Sequence, residues 1–206
     1  MRKILFLLSI LGGLFAATQS YANSCNQAVP VCTASGYQFQ AVATSTTAEP
    51  GNSYSCLSTQ PDPQWFYLAI ATSGDVTLQM QAGSDIDFIL YGPYSNQTAA
   101  FADCGNLGSS ASEIVGCSYS TSGTETVTIT GAVAGEYYIG VITNYAGVDQ
   151  TVTVSQTGGS GGTDCSIVGL PTCTDGIQNG DETGVDCGGT SCAPCATGCS
   201  ANNGSW

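Results

Sequence analysis

Short runs in which apolar and polar residues alternate fill the chain from about residue 37 to residue 156. In residues 76–80, for example, Val, Leu and Met alternate with Thr and Gln. Such alternation puts apolar side chains on one face of a strand and polar side chains on the other. Clusters of Gly, Ser, Asn, Asp and Pro separate the runs, as turns require. The pattern predicts about eight strands, at residues 37–43, 65–71, 76–80, 86–90, 114–119, 126–130, 137–143 and 151–155.

The number and spacing of these strands predict an all-β fold, a two-sheet β-sandwich of jelly-roll or Greek-key type. Residues 65–71 are apolar at positions that would face both sides of a strand. This run therefore predicts a central strand, covered by the opposing sheet on one side and by loops on the other. No run shows the period of a helix, and the enrichment in Thr and Val favours strands.

The first residues have the order of a secretory signal peptide. Arg2 and Lys3 precede an apolar run, residues 4–17, that is short for a membrane span. Ser20 and Ala22 supply the small residues that precede a cut after Ala22. We therefore expect residues 1–22 to be removed, no transmembrane segment to remain, and the protein to be secreted or displayed on a bacterial cell surface.

A glycine-rich run marks the expected boundary between two units. Residues 158–163 read Gly-Gly-Ser-Gly-Gly-Thr, which predicts a flexible linker at 158–164 after a sandwich domain at 23–157. Residues 165–206 then hold six cysteines and almost no large apolar side chain, so they predict a small disulfide-rich segment. The odd total of 11 cysteines leads us to expect that this segment is truncated.

Charge narrows the possible functions. Both basic residues lie in the leader, the chain has no His, and it has 15 Asp and Glu. The mature chain therefore cannot neutralise phosphate groups, and we expect no nucleic-acid partner. A Ser or Cys nucleophile would lack a neighbouring His or Lys base, so we expect no catalytic activity. A glycosidase-type carboxylate pair is the weaker alternative, because carboxylates on a solvated acidic surface titrate normally.

The cysteines of an exported chain are expected to form disulfides. Cys104 and Cys117 bracket a polar loop, and a bridge between them would hold that loop. Cys25 and Cys32, or either of them with Cys56, would tether the N-terminal part of the mature chain. Spacing alone does not choose among these pairings.

Two aspartates form the first candidate metal site. Asp85 and Asp87 lie two residues apart at a strand entry, so they are expected on one face. A third carboxylate, with Glu136 and Asp103 as candidates, would complete an oxygen site for calcium. The alternative is that both aspartates cap turn amides and stay solvated. Calcium is the one cofactor that the sequence predicts.

Exposed aromatic side chains would provide a platform for a sugar or a peptide. Tyr91, Tyr94 and Tyr145 lie beside turn residues and are the predicted binding residues, with Tyr119 as a further candidate. Trp65 is expected to fill the sandwich interior instead, because large aromatic side chains dominate small cores.

Four segments of the strand-rich region resemble the bacterial pre-peptidase C-terminal domain: QWFYLAI at 64–70, GDVTLQM at 74–80, DIDFILY at 85–91 and GEYYIGV at 135–141. Residues 65–67, 85–88, 92–93, 117–120 and 142–145 also resemble a domain that is repeated in large secreted surface proteins of Bacteroidetes, and this resemblance covers about residues 25–168. The pre-peptidase family is a small β-sandwich attached to secreted peptidases and collagenases as a noncatalytic binding or processing module. The resemblance implies the same fold and leaves the ligand open.

The tail from residue 173 resembles a cysteine-rich repeat, DGxxNGDETxxDCGG followed by CxxC, of secreted and surface proteins. Its oxygen-bearing residues and glycines have the composition of calcium loops. The candidate ligands are Asp175, Asn179, Asp181, Glu182 and Asp186. A zinc site is the alternative to disulfides, although an oxidising compartment favours disulfides. Its ligands would be Cys187, Cys192, Cys195 and Cys199.

These observations predict a secreted or cell-surface binding or adhesion module that contacts an extracellular protein or polysaccharide and has no catalytic activity. The first alternative is a noncatalytic accessory domain of a secreted peptidase or glycosidase whose catalytic domain is absent from this chain. The second is a spacer within a surface filament, for which an acidic, soluble surface needs no ligand.

Overall fold

The computed structural model describes residues 22–33, 37–168, 187–188 and 192–195. The strands in these ranges are β1 (Val29–Pro30), β2 (Tyr37–Ala41), β3 (Pro63–Thr72), β4 (Gly74–Gln81), β5 (Asp87–Tyr94), β6 (Ile114–Ser118), β7 (Thr124–Ala132), β8 (Tyr137–Thr143), β9 (Gln150–Gly158) and β10 (Gly162–Thr163). One α-helix, α1 (Gln97–Ala102), lies between β5 and β6. All eight predicted strands are present, as β2 to β9.

The strands form two sheets, in the orders β1-β3-β8-β5-β6 and β2-β9-β4-β7, and β10 also pairs with β3. Four antiparallel pairs are nested inside one another: β5 with β6, β4 with β7, β3 with β8, and β2 with β9. The chain thus follows the path of one long hairpin with its tip between β5 and β6. Successive pairs alternate between the two sheets. This arrangement is a jelly roll, and it confirms the predicted fold class.

The core between the sheets is built from the apolar positions of the alternating runs. On β4, Val76, Leu78 and Met80 are buried, and they belong to one cluster with Phe88 and Leu90 of β5. The residues between them on β4 are partly or fully exposed. Alternation in the sequence therefore specifies which face of each strand meets the opposing sheet.

A second core covers the outer face of the sheet that contains β3, β5 and β8. These strands are buried at nearly every position, as the apolar run in β3 predicts. Trp65 and Tyr91 belong to this outer cluster together with Leu57 and Leu107, from the 42–62 and 95–113 connections. Trp65 is thus a core residue, as predicted. Its predicted position between the two sheets is wrong, because its side chain faces the covering loops.

The glycine-rich segment after β9 packs against the sandwich. Within it, β10 pairs antiparallel with β3, and the hydroxyl of Thr163 lies 2.9 Å from the hydroxyl of Thr33 in a buried pair. Ile167 is buried in the outer cluster. The structure therefore differs from the expectation of a flexible linker at 158–164.

Close backbone packing explains the glycines of this segment. A Cβ atom at Gly161 would lie only 2.7 Å from the carbonyl oxygen of Gly74 and 2.8 Å from a methyl group of Val76. Glycine allows the backbone to approach β4 at this distance. The same residues that suggest flexibility in the sequence are thus required for tight docking in the structure.

Three disulfides tie the segments that surround the sandwich: Cys25–Cys104, Cys32–Cys165 and Cys56–Cys117. The prediction that Cys104 and Cys117 are disulfide-bonded is confirmed, but the prediction that they pair with each other is wrong. The 42–62 connection crosses the outer face of the sheet and brings Cys56 to Cys117 on β6. Residues 22–33 bring Cys25 to Cys104.

In the described part of the tail, Cys187 is bonded to Cys195, and Cys192 is also disulfide-bonded. These three cysteines are therefore not available as the zinc ligands of the alternative interpretation. The four disulfides described above indicate an extracytoplasmic, oxidising location. None of the helices in the described ranges has the length and apolar character needed to cross a membrane.

Candidate functional site at the loop end of the sandwich

A cavity of about 100 Å³ lies at one end of the sandwich, where three connections meet. These are the β4–β5 connection (82–86), the β6–β7 connection (119–123) and the β8–β9 connection (144–149). The nested hairpin brings them together, because β4, β6 and β8 all end at this edge of the two sheets. The residues that line the cavity are Asp85, Asp87, Tyr119, Ser120, Thr121 and Tyr145.

Asp87, the first residue of β5, is the buried acid of the cavity and is only 1% exposed. Its Oδ1 accepts a hydrogen bond of 2.8 Å from the backbone N–H of Ser120. Desolvation raises the pKa of its carboxyl group to about 6, in spite of the Ser120 hydrogen bond, and the charges of Asp85 and Glu125 add to the rise. Asp87 therefore changes its charge at a pH just below neutrality.

Asp85, in the β4–β5 connection, has a buried Oδ1 atom that accepts no hydrogen bond from the described residues. Desolvation raises the pKa of this carboxyl group, and the charge of Glu125 raises it further. A buried carboxylate oxygen without a donor is destabilising, and a ligand that brings a donor would remove that penalty. Residues 23–206 contain no Lys, Arg or His side chain that could serve as this donor.

Glu125 on β7 is the third carboxylate of this region, and it is not among the site residues that the sequence predicts. Its side chain is 6% exposed, and its Oε1 accepts a hydrogen bond of 2.6 Å from the hydroxyl group of Ser120. The alternation of β7 contains a signal for its burial, because Glu125 is in phase with the buried residues Val127 and Ile129. A charged residue at an inward-facing position of a strand needs a polar partner, and here Ser120 provides it.

Tyr119 and Tyr145 form the aromatic wall of the cavity. Their ring centroids are 5.6 Å apart and their planes are perpendicular, at 90°. The rings are 39% and 46% exposed, so the predicted exposure of Tyr145 is confirmed. A hydrogen bond to Tyr119 is the main reason why the pKa of the Tyr145 hydroxyl is raised. Exposed rings next to carboxylates form a surface that suits a cationic or planar group.

The other two predicted binding tyrosines lie outside this cavity. Tyr91 is fully buried and donates its hydroxyl to the carbonyl oxygen of Ser53 at 2.9 Å, so its predicted exposure is wrong. The reason is that β5 is covered on both faces. Tyr94 is half-buried and donates its hydroxyl to Oδ2 of Asp103 at 3.1 Å. It pairs with Tyr137, at the opposite end of β8 from the cavity.

The carboxylates predicted to join Asp85 and Asp87 in a calcium site are elsewhere. Asp103 contacts Tyr94, and Glu136 directly precedes β8, whereas Asp87 pairs with Thr143 at the far end of that strand. Within the described ranges, no three His, Cys, Asp or Glu residues are arranged so that they could hold a metal ion. Calcium at Asp85 and Asp87 remains a prediction. The other candidate ligands lie outside the described residues: Asp175, Asn179, Asp181, Glu182 and Asp186.

Comparison with known proteins finds only a distant structural similarity. No family model matches the chain, and no curated protein matches it. One solved structure that it resembles is PliG from Aeromonas hydrophila, described as a periplasmic lysozyme inhibitor of g-type lysozyme. The identity is 18%, the alignment covers 63% of this chain and 96% of PliG, and the TM-score is 0.33. At these values the similarity assigns no role to any residue. The resemblance noted in the sequence holds at the level of a two-sheet β-sandwich.

Proposed function

We propose that this protein is a noncatalytic, extracytoplasmic recognition module that adheres to a protein or polysaccharide through the cavity at its loop end. One observation carries the proposal: two exposed tyrosine rings stand beside two carboxylates, and an oxygen of Asp85 is buried without a donor among the described residues. Loops held by a rigid scaffold commonly carry binding sites, and a few convergent polar groups beside aromatic rings are typical of them.

The size of the cavity favours recognition over catalysis. A site that encloses a small-molecule substrate has a volume of roughly 300 Å³ or more, whereas this cavity has about 100 Å³. It has room for one protruding group of a larger partner. The lack of Lys, Arg and His after the leader also supports a noncatalytic role, since no imidazole or amine side chain stands beside Ser120 and Thr121 to activate a hydroxyl group.

The disulfides support the proposal because they stiffen the frame around the loops. Cys56–Cys117 joins the 42–62 connection to β6, directly before Tyr119 and Ser120. The hydroxyl of Tyr119 also lies 3.4 Å from Oγ1 of Thr59 in the same connection. A binding surface held in place before the ligand arrives loses less entropy on binding.

Arrays of peptides and glycans test the proposal. A protein that consists of residues 23–206 is expected to bind some of the arrayed peptides or glycans. The double substitution Tyr119→Ala/Tyr145→Ala is expected to abolish that binding. Val133→Ala is the control, because Val133 is 53% exposed in the β7–β8 connection at the opposite end. If no arrayed peptide or glycan is bound, or if the double variant binds like the unchanged protein, the proposal fails. Turnover of chromogenic peptides or glycosides would refute the noncatalytic role.

A further inference from the structure

We infer that the group which fills the cavity is the side chain of a lysine or arginine on a partner protein, with its cation beside Asp85 and Asp87 and its stem against Tyr119 and Tyr145. This inference rests on the proposed function and names the chemistry of the ligand. Its support comes from charge, from the aromatic wall and from the size of the cavity.

Charge is the first support. The formal net charge is −13 with two basic residues in the leader, so the mature chain has a formal charge of −15 (−13 minus 2). No basic side chain of the mature protein can therefore compete for the cavity. An ammonium or guanidinium group in the cavity would pair with the carboxylates of Asp85 and Asp87, which line it, and Oδ1 of Asp85 has no donor among the described residues. Hydrogen bonds between charged partners are among the strongest in proteins.

The aromatic wall is the second support. A cation within about 6 Å of an aromatic ring centroid is attracted by the ring quadrupole. Tyr119 and Tyr145 are oriented edge to face beside both carboxylates. One extended side chain could therefore meet a carboxylate with its charged end and a ring with its methylene groups. Lysine and arginine combine these two properties, because their apolar stems end in a cation.

The number of oxygen ligands argues against calcium as the occupant. Calcium takes about six to eight oxygen ligands, and only Asp85 and Asp87 contribute carboxylates to the lining. Glu125 is engaged by the Ser120 hydroxyl. The described residues contain no three acidic or other metal-binding side chains placed to hold a metal. The tyrosine rings would supply no further ligands to calcium, whereas they favour an organic cation.

The volume fits one side chain. A cavity of about 100 Å³ is well below the roughly 300 Å³ of sites that enclose a whole small ligand. The terminal part of a lysine or arginine side chain fills such a space, whereas a folded segment does not. The occupant must therefore project from a partner surface.

Titration with short peptides tests the inference. The probes are acetyl-Gly-Lys-Gly-amide, acetyl-Gly-Arg-Gly-amide, the same peptide with norleucine, and calcium chloride alone, and the signals are the ring resonances of Tyr119 and Tyr145. The lysine and arginine peptides are expected to bind, and the norleucine peptide is not. Asp85→Asn and Tyr145→Ala are each expected to weaken binding at least fivefold.

Asp75→Asn is the matched control, because it removes the same charge from an exposed carboxylate near the opposite end of β4. It is expected to change the affinity less than twofold. The inference is overturned if the norleucine peptide binds equally, if neither cationic peptide binds, if calcium displaces them, or if Asp75→Asn acts like Asp85→Asn. An array ligand that needs Tyr119 and Tyr145 but contains no lysine or arginine would overturn this inference and leave the proposed function intact.

Discussion

The backbone N–H of Ser120 donates a 2.8 Å hydrogen bond to Oδ1 of Asp87 and thereby joins the β6–β7 connection to the first residue of β5. The hydroxyl of the same serine donates to Glu125 on β7. One residue thus binds two buried carboxylates that lie on different sheets. Tyr119 directly precedes this serine, so both bonds restrain the backbone beside it.

Asp87→Asn is expected to stabilise the protein at neutral pH. The folded state raises the pKa of Asp87 from its ordinary value of 3.8 to about 6, so it binds the proton more tightly than the unfolded chain. The stability from this group is therefore complete below pH 4 and is lost as the pH rises through about 6. Asparagine keeps an acceptor for Ser120 without the charge. At pH 7.5 we expect a gain of about 1–2 kcal/mol in the free energy of unfolding.

Thermal melts of both proteins between pH 3.5 and pH 8, followed by circular dichroism, measure this effect. The difference in Tm is expected to be small near pH 4 and to grow up to about pH 7. The other carboxylates are present in both proteins, so the difference in Tm reports on residue 87. A difference in Tm that is constant over this range, or that falls with rising pH, would contradict the raised pKa of Asp87.

Removal of the Cys56–Cys117 disulfide is expected to lower the free energy of unfolding. The bond closes a loop with a sequence separation of 61 residues. The double substitution Cys56→Ser/Cys117→Ser should cost about 2–4 kcal/mol, mainly because the unfolded chain gains freedom. Chemical denaturation measures the loss. Peptide mapping without reduction should recover Cys56 linked to Cys117 and Cys25 linked to Cys104, and a peptide linking Cys104 to Cys117 would show that the pairing is different.

Gly140→Ala is expected to destabilise the fold by about 1–3 kcal/mol through overpacking. A Cβ atom at this position of β8 would lie 2.8 Å from Cζ of Phe66 and 3.0 Å from the carbonyl oxygen of Ile89. Gly83→Ala is the control, since its Cβ atom would come no nearer than 3.9 Å to Gln150. Denaturant titration should show a loss only for Gly140→Ala. If Gly140→Ala lowered the free energy of unfolding no more than Gly83→Ala does, β8 would tolerate a side chain at residue 140.

A chain that ends at Gly158 is expected to be less stable than one that ends at Val168. The longer chain keeps β10 on β3, the buried side chain of Ile167 and the Cys32–Cys165 bond. Loss of these contacts should lower the free energy of unfolding by about 3 kcal/mol or more. Limited proteolysis and thermal melts compare the two chains. Equal stability would show that residues 158–164 are the flexible linker that their composition suggests.

The strands were predictable because each has a core face that the alternation reveals. In β9, the buried residues Val152 and Val154 alternate with threonine and serine. Helix α1 was missed because six residues are too few to show a helical period. Strands β1 and β10 have two residues each and depend on β3 for their pairing. Local sequence contains no signal for them.

The candidate site was only partly predictable, because long-range packing decides its composition. Asp85, Asp87 and Tyr145 were identified from local sequence and meet in the cavity. Glu125 joins their electrostatic environment from a strand whose register the sequence does not give. Tyr91 was misjudged because the neighbouring turn residues suggested exposure, whereas two long connections cover the outer face of the sheet.

The nested order of the hairpin also determines when this chain can finish folding. The outermost strands meet through contacts such as the Gln38–Thr153 hydrogen bond, which spans 115 residues. They cannot pair until β9 is available, so the outer hairpin cannot close until nearly all of the strands have been synthesised. Topologies dominated by such distant contacts fold slowly. The Cys32–Cys165 bond, across 133 residues, then depends on the last part of the sandwich to arrive.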